Sequence, residues 1–401
     1  MILASVLSKI YTDGGIILID CSGQKYICGN PKKDKPHTIK LLKKNLNWRL
    51  LIDPELEFPE AYMKDEIKLE NVSMNEFLMN LLKNLGRKEI TSTSYISKKI
   101  FQIWRFFSNY NLPGKSRKDI EHHYDVGGEK GEKLYDIFLD TKHRQYSCAY
   151  WSDNTKTLEE AQQNKIDHII KKLDVKSGQK ILEIGCGWGG MSFELARQKG
   201  CEVLGISLSK NQINHCKAKA KELGMDNQVN FQLVDYREVK GKFDRIFSVG
   251  MFEHVGKKFY KTYFETINKL LNNDGIFLLH TIGSINNPNP PNKFINKYIF
   301  PGGVVPSFSE IINPIEKTGL IVADTETLIR HYDKTLESWL ERLLKEKAAV
   351  KDLFDEKFLR MWEFYLSSCA AAFRYRDLVV FQLQIVKNFD SAHRTRDYIY
   401  S

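Results

Sequence analysis

The sequence predicts an α/β protein in which a doubly wound parallel sheet follows a small α+β domain. Strand-like and helical segments alternate between residues 158 and 279, a glycine-rich turn joins one of these strands to a helix, and the residue pattern changes near residue 120. Regular alternation of strands and helices is typical of a parallel sheet covered by helices. A chain of 401 residues has room for two or three domains, and its 42% hydrophobic content is that of an ordinary globular protein.

The N-terminal part predicts a small accessory domain. Short β-like runs occur at residues 15–20 and 24–28, and a helical pattern covers 73–85. Residues 98–110 combine basic side chains with Phe and Trp, and NLPGKSR at 111–117 predicts a turn and linker. We therefore assign residues 1–120 to a basic accessory domain and its linker.

The remaining chain, residues 121–401, predicts one cofactor-binding catalytic domain. Its strands are expected at 180–184, 202–206, 230–234, 243–249 and 275–279, and its helices at 158–173, 191–199, 210–223 and 259–271. Residues 283–306 are too rich in Pro, Asn and Gly for this alternation, and an insertion of that length is usually functional, so we expect a lid there. Helices around 335–348 and 353–373 and a strand at 378–386 follow.

Charge and composition narrow the function. The net charge is +10, and residues 1–120 hold 20 basic and 13 acidic side chains, a difference of +7. This excess predicts an anionic partner for the N-terminal part. No apolar run is long enough to span a membrane, and the start of the chain lacks the pattern of a signal peptide. Seven scattered cysteines without a C-x-x-C pair predict neither a disulfide framework nor a metal site, which favours the cytoplasm.

The glycine-rich turn predicts a nucleotide-like cofactor. Gly185, Gly187 and Gly190 form a G-x-G-x-x-G pattern between a strand and a helix, which alone is weak evidence for a dinucleotide. A dinucleotide site needs an acidic residue after the second strand, but that strand ends in GISLS without one. Glu183 instead ends the first strand, and this acid-x-G-x-G pattern resembles the first motif of class I S-adenosylmethionine (SAM)-dependent methyltransferases, which have a Rossmann-like fold. Asp235 resembles their acidic position facing the adenine amine. A glycine turn kept only for packing is the alternative.

Seven further segments carry a more specific resemblance. They are HYD at 123–125, YSCAYW at 146–151, GISLSKNQ at 205–212, MFEHVG at 251–256, LHTIG at 279–283, IFPGG at 299–303 and HYD at 331–333. In this order they resemble the cyclopropane-fatty-acyl-phospholipid synthases and the mycolic acid cyclopropane synthases over about residues 120–390. The resemblance implies transfer of a methylene from SAM to the cis double bond of a phospholipid acyl chain, through a carbocation. One departure from the family is the longer, more charged run at 126–135.

The resemblance also implies the site residues. The base that removes the proton from the carbocation would be a bound bicarbonate, held by Cys148, Glu253, His280, Ile282 and Tyr332. We expect backbone N–H groups of Cys148 and Ile282, and side chains of His280 and Tyr332, to donate to it, while Glu253 accepts its proton. Taken singly, Cys148 is equally compatible with a place in the core, a lone tyrosine such as Tyr332 is more often structural than catalytic, and Glu253 could instead be a surface residue. The implied cofactor-binding residues are Tyr146, Ser147, Glu183, Gly185, Gly187, Ser207, Leu208, Gln212, Asp235 and Tyr236.

The expected partner is a phospholipid bilayer with unsaturated acyl chains, bound at the cytoplasmic face of the membrane through the basic N-terminal part. No nucleic-acid motif is present, and a homodimer is compatible with the sequence. Two alternatives stay open: a related methyltransferase that makes methyl-branched chains or methylates an amine, and a lipid-binding protein without catalysis.

Overall fold

The computed structural model describes residues 1–86, 129–286 and 291–400. The aromatic and basic segment at 98–110, the linker at 111–117 and the HYD motif at 123–125 lie outside the described residues, as do residues 287–290 of the expected lid. None of the helices in the described ranges combines the length and apolar character needed to cross a bilayer.

The N-terminal segment forms a four-stranded sheet with helices. Its elements are α1 (Ile2–Ile10), β1 (Gly15–Ile19), β2 (Lys25–Gly29), β3 (Thr38–Leu41), α2 (Leu46–Ile52), α3 (Pro54–Met63), β4 (Ile67–Glu70) and α4 (Met74–Leu85). The strands lie in the order β2-β1-β3-β4. The predicted strands β1 and β2 and helix α4 are confirmed, and α4 begins at a capping box in which Ser73 and Glu76 bond to each other's backbone N–H groups.

The middle segment contains the predicted alternation. Its elements are α5 (Glu129–Phe138), α6 (Leu158–Leu173), β5 (Lys180–Ile184), α7 (Gly190–Lys199), β6 (Glu202–Ser207), α8 (Lys210–Glu222), β7 (Val229–Leu233), β8 (Phe243–Val249), α9 (Tyr260–Leu270) and β9 (Leu271–Ser284). The predicted boundaries from 158 onward agree to within a few residues except at β9, which extends beyond 275–279 at both ends. Helix α5 occupies part of the charged 126–135 run, for which the sequence predicted no helix.

The C-terminal segment completes the sheet. Its elements are α10 (Phe308–Glu316), β10 (Ile321–Leu328), α11 (His331–Lys345), α12 (Lys347–Leu353), α13 (Glu356–Tyr375), β11 (Leu378–Val386) and α14 (Asp397–Tyr400). Strand β10 was not predicted, because as an edge strand it alternates partly buried and exposed residues and carries polar side chains such as Asp324 and Glu326.

The main sheet has seven strands in the order β10-β11-β9-β8-β5-β6-β7. The five strands from β5 to β9 are parallel, whereas β11 is antiparallel to both β9 and β10. Strand β5 has β6 on one side and β8 on the other, so the strand order reverses there. Ligands of such sheets bind in the crevice outside the carboxyl ends of the strands at this reversal.

Both faces of the parallel strands are buried. On β5, Ile181 packs with the cluster that includes α6, α7 and α8, and the next residue, Leu182, packs with the cluster that includes α9 and α10. Because successive side chains of a strand point to opposite faces, this alternation shows that helices cover the sheet on both sides. This is the Rossmann-like α/β fold that the sequence predicted.

The contacts divide the chain differently from the expected boundary at residue 120. Among the described residues, one unit comprises 1–86, 291–299 and 336–377, and the other comprises 129–286, 300–335 and 378–400. In the first unit the ring of Phe364 on α13 lies 6.0 Å from Phe58 and 4.9 Å from Phe294. The contacts thus group 291–299 and 336–377 with the N-terminal residues, whereas the sequence analysis expected residues 121–401 to form one domain. An apolar helix face does not reveal in sequence which partner covers it.

Candidate functional site

A cavity lies outside the carboxyl ends of β5, β6, β7 and β8. It encloses about 1090 Å³ of empty space, including its open mouth. Its walls contain every residue predicted to bind the cofactor: Tyr146, Ser147, Glu183, Gly185, Gly187, Ser207, Leu208, Gln212, Asp235 and Tyr236. The sequence analysis did not single out Arg144, Trp188, Arg237, Met251 and His254, which also line the cavity. Trp188, Arg237 and His254 directly follow predicted site residues, and this adjacency was the available sequence signal for them.

The glycine turn brings backbone to the cavity wall. Gly185 has φ +87°, and a Cβ atom there would lie 2.8 Å from Cβ of Met251. The amides of Gly185 and Cys186 both donate to the carbonyl of Ile206, at 2.9 and 3.0 Å, so the turn is fixed to the end of β6. Gly187 also has a positive φ, of +52°, a region that only glycine adopts at little cost.

A buried acid ends β5. The Glu183 side chain is 3% exposed and accepts a hydrogen bond from the hydroxyl of Ser192 on α7. Burial raises the pKa of Glu183 to about 8, although the Ser192 bond and the charge of Lys165 act in the opposite direction. A cationic ligand in the cavity would favour the ionised form of this carboxyl group.

Helix α6 holds the segment from Arg144 to Ser147, which also lines the cavity. The ammonium group of Lys165 donates to Oε1 of Gln145 at 2.5 Å and to Oγ of Ser147 at 2.8 Å. One turn earlier, the amide of Gln162 donates to the carbonyl of Ser147 at 3.0 Å. Lys165 is completely buried, and burial lowers its pKa to about 8. These contacts fix Ser147 and its neighbours at the cavity.

Two pairs of polar side chains follow the second and third strands. Ser207 donates to Oε1 of Gln212 at 2.9 Å. Both oxygens of Asp235 accept from the guanidinium of Arg237, at 2.8 and 2.6 Å. If Asp235 also accepts a hydrogen bond from the adenine amine, as the sequence analysis expects, it must do so while bonded to Arg237. Tyr236 is buried beside Tyr263, with their ring centroids 5.2 Å apart.

Glu253 and Ile282 are in direct contact. Oε1 of Glu253 accepts the backbone N–H of Ile282 at 2.7 Å, and Oε2 is buried without a well-aligned hydrogen bond from the described residues. The Ile282 amide, which the sequence analysis reserved for bicarbonate, is thus used by Glu253 in this structure. Burial raises the pKa of Glu253 to about 7, although the Ile282 N–H favours the ionised form. The carboxyl group can therefore gain or lose a proton near neutral pH.

His280 lies two residues before Ile282 on β9 and has a partner that sequence reasoning missed. Its Nδ1 lies 3.0 Å from Nε2 of Gln382 on β11, and both side chains are buried. Burial holds the pKa of His280 well below its usual range, so the ring is neutral. With the amide donating to Nδ1, the ring proton lies on Nε2. The available signal was that β11 is apolar apart from two glutamines, Gln382 and Gln384.

Cys148 and Tyr332 lie in two segments that are joined by hydrogen bonds. The N–H of Ala149 donates to Oγ1 of Thr335 at 3.2 Å, and the N–H of Trp151 donates to Nδ1 of His331 at 3.0 Å. These bonds tie the segment after Cys148 to the start of α11, which carries Tyr332. Burial raises the pKa of the Cys148 thiol, which keeps it protonated.

The charge of Lys165 acts on both groups of predicted site residues, the one with Glu253, His280 and Ile282 and the one with Cys148 and Tyr332. It influences the pKa values of both Cys148 and His280. The structure thus places Glu253, His280 and Ile282 together and ties Cys148 to the segment of Tyr332, with Lys165 acting electrostatically on a member of each group.

Comparison with known proteins identifies the family. The sequence pattern described as "Mycolic acid cyclopropane synthetase" matches residues 113–383. The cyclopropane-fatty-acyl-phospholipid synthase of Escherichia coli (strain K12) is 40% identical over 287 residues, which are 71% of this chain and 72% of that protein. The chain belongs to the mycolic acid cyclopropane synthetase family. Another member, from Pseudomonas putida, is described as a probable fatty acid methyltransferase and is 37% identical over 70% of this chain and 73% of its own.

Solved structures of this family agree with the fold. The cyclopropane synthase MmaA2 of Mycobacterium tuberculosis matches with a TM-score of 0.63 and 32% identity, over 67% of this chain and 97% of that one. The mycolic acid cyclopropane synthase CmaA1, complexed with S-adenosylhomocysteine and CTAB, gives the same values. A coclaurine N-methyltransferase, at 17% identity and a TM-score of 0.62, shares the fold alone.

Proposed function

We propose that this protein is a cyclopropane-fatty-acyl-phospholipid synthase. The observation that carries the proposal is the cavity at the strand reversal, lined by all ten predicted cofactor residues, in a chain that is 40% identical to the Escherichia coli enzyme. SAM would supply the electrophilic methyl group at this cavity. The chain's own task is to orient the methyl toward the alkene and to keep water from the cation, and such positioning lowers barriers by several kcal/mol.

The test is expression in a host that lacks the activity, followed by mass spectrometry of its lipids. Unsaturated acyl chains that become heavier by one CH₂ support the proposal. A methylene-branched chain has the same mass but keeps a double bond, so mild hydrogenation separates the two products. Unchanged lipids would contradict the function, and a branched product would favour the alternative methyltransferase.

For the proton transfer we propose a reaction site formed by Cys148, Glu253, His280, Ile282 and Tyr332. The residues fit a small oxyanion that carries a proton: neutral His280 can donate from Nε2, and the buried Oε2 of Glu253 is available as an acceptor. A bicarbonate bound there would supply the base that removes a proton from the new methyl group. Glu253 would hold the proton of its hydroxyl, and Gln382 would keep His280 in the donor tautomer.

This second proposal has its own test. Turnover of the purified protein should fall in buffer freed of carbon dioxide and return on addition of bicarbonate. The affinity for SAM should be the same in both buffers, because none of the five reaction-site residues lines the cavity. Full turnover without bicarbonate would exclude it while leaving the proposed product unaffected.

We further propose that the protein works at the cytoplasmic face of an anionic bilayer. In the N-terminal unit, Trp48 and Ile52 are one turn apart on α2 and are 58% and 80% exposed. Leu42, Lys43 and Lys44 are exposed just before this helix. Trp with neighbouring lysines suits the interface of a bilayer, where each basic residue adds about 1 kcal/mol near anionic lipid.

Vesicle sedimentation tests this surface. The protein should bind anionic vesicles more tightly than neutral ones and should release them as salt rises. The double change Trp48→Ser and Ile52→Ser should weaken binding, whereas Leu223→Ser, at an exposed apolar residue of the other unit, should not. Equal binding to neutral and anionic vesicles would reject the proposal. Light scattering on the protein without vesicles would show whether it is a homodimer.

A further inference from the structure

Two residues that line the cavity each carry a buried N–H donor without an acceptor in the described ranges. Nε1 of Trp188 and Nε of Arg144 are both buried and make no hydrogen bond within the described residues. Both residues line the cavity, and Trp188 is only 5% exposed. A buried donor without an acceptor costs about 1–3 kcal/mol, so a ligand with acceptor atoms at these two neighbouring side chains would remove that cost.

The Arg144 side chain is held in place from several sides. Its guanidinium carbon lies 4.2 Å from the centre of the Trp188 ring. Its Nη2 donates to the carbonyl of Glu132 at 2.7 Å and lies 2.8 Å from Oδ1 of Asp136, both on α5. The charged run that departs from the family pattern thus includes part of the helix that positions this arginine.

The backbone of Arg144 is equally constrained. The residue has φ +53°, which is uncommon outside glycine. Buried Asp140 accepts the N–H groups of His143, Arg144 and Gln145 at 2.7, 3.1 and 2.7 Å. Such a conformation persists only where the surroundings enforce it, and it is typical of ligand sites.

The charges around the cavity indicate which part of the ligand this wall receives. The acids that line it are Glu183 and Asp235, and the arginines are Arg144 and Arg237. His254 is neutral, because burial lowers its pKa to about 4. SAM carries a sulfonium, an ammonium and a carboxylate. Arg237 uses both Nε and Nη2 on Asp235, whereas Arg144 pairs with Asp136 only through Nη2 and keeps Nε without an acceptor in the part of the chain that the structure describes. Arg144 is therefore the arginine that retains a donor for the carboxylate.

We propose that Arg144 and Trp188 bind the carboxylate of the methionine part of SAM. The two orphaned N–H groups donate to its oxygens, and the guanidinium, stacked on the indole, supplies the opposite charge. This inference rests on SAM as the methyl donor, but it does not depend on which acceptor the enzyme alkylates.

Binding of two cofactor forms tests the proposal. SAM and decarboxylated SAM share the adenosine, sulfonium and ammonium groups and differ in the carboxylate. By calorimetric titration, Arg144→Met should weaken SAM binding about tenfold to a hundredfold, the range for a hydrogen bond to a charged group. Binding of decarboxylated SAM should change by less than about twofold. Trp188→Phe keeps the ring, loses the N–H and should show the same selectivity with a smaller loss.

Arg237→Met is the matched control, because it removes the other arginine of the cavity. It should weaken both ligands to the same extent. Thermal unfolding of each variant identifies any loss of fold, and Arg144→Lys, which keeps the charge, should lose less SAM affinity than Arg144→Met. Equal losses for the two ligands in Arg144→Met, or no loss for either, would overturn the proposal. Because no product is measured, failure of the cyclopropane proposal would leave this result intact.

Discussion

The cofactor cavity and the proposed reaction site differ in their tasks, which are ligand recognition and proton transfer, and in the kinds of groups that line them. The cavity is built from turns that follow consecutive strands, and it recognises its ligand with backbone conformation and charged side chains near its surface. The proposed reaction site would take its residues from four separated segments and would rely on the protonation states of buried groups, such as Glu253 and His280. Changes in the cavity should therefore alter cofactor affinity, whereas changes in the reaction site should alter turnover.

The largest expected effect is that of Glu253→Gln. The amide keeps the shape and its contact with the Ile282 N–H, but it cannot accept a proton. We expect kcat to fall about 10²–10⁴-fold, as for loss of a general acid–base group. The Kd for SAM should be unchanged, and both quantities come from steady-state kinetics and titration. Unaltered turnover would remove Glu253 from the reaction site.

Gly185→Ala, in contrast to Glu253→Gln, should weaken the binding of SAM. A Cβ there meets Met251 at 2.8 Å and strains a backbone with φ +87°. We expect SAM to bind about tenfold more weakly, a loss in keeping with the 1–3 kcal/mol of such strain. The matched control is Gly178→Ala, where φ is +77° but no atom lies within 4 Å of the new Cβ. Equal losses of SAM affinity in the two variants would show that general strain, rather than the cavity wall, causes the effect.

Gln382 offers a test of how the reaction site is held. Gln382→Met keeps the volume but removes the donor to Nδ1 of His280, so the imidazole is no longer fixed in one tautomer. We expect kcat to fall about tenfold, at the low end for loss of a group that orients a site residue. Nitrogen NMR of the His280 ring should show Nε2 protonated in the wild type and a mixed population in the variant. A wild-type ring protonated on Nδ1 would refute this role.

The pH profile should give the smallest and most diagnostic difference. The pKa of Glu253 is raised to about 7, so its carboxyl group is protonated below that pH and cannot accept a proton. Turnover at a fixed bicarbonate concentration should rise with pH through about 7 and then level off. Glu253→Gln should lack this rise. A wild-type profile that is flat between pH 6 and 8 would contradict the assignment.

The cavity was more predictable than the reaction site, for a physical reason. Glu183 and the glycines that follow it are adjacent in sequence, and the need for positive φ leaves a residue pattern that can be read directly. The partner of His280 leaves no such pattern, because Gln382 is about one hundred residues away and reaches it only through pairing of β11 with β9. The grouping of α13 with the N-terminal residues likewise leaves no local pattern, since the sequence of an amphipathic helix does not show which residues its apolar face contacts.

The sequence by itself determined the fold class and most of the strands and helices from residue 158 onward, and its resemblance to a family implied the ten residues that line the cavity. Hydrophobic periodicity and turn-forming residues are local properties, so they can be recognised from residues that are close together in the sequence. Only the tertiary structure decided that Ile282 donates to Glu253, that Arg237 occupies both oxygens of Asp235, and that Arg144 and Trp188 share a wall with unsatisfied N–H groups. Hydrogen bonds between distant segments depend on how those segments pack, and packing is settled by the whole chain.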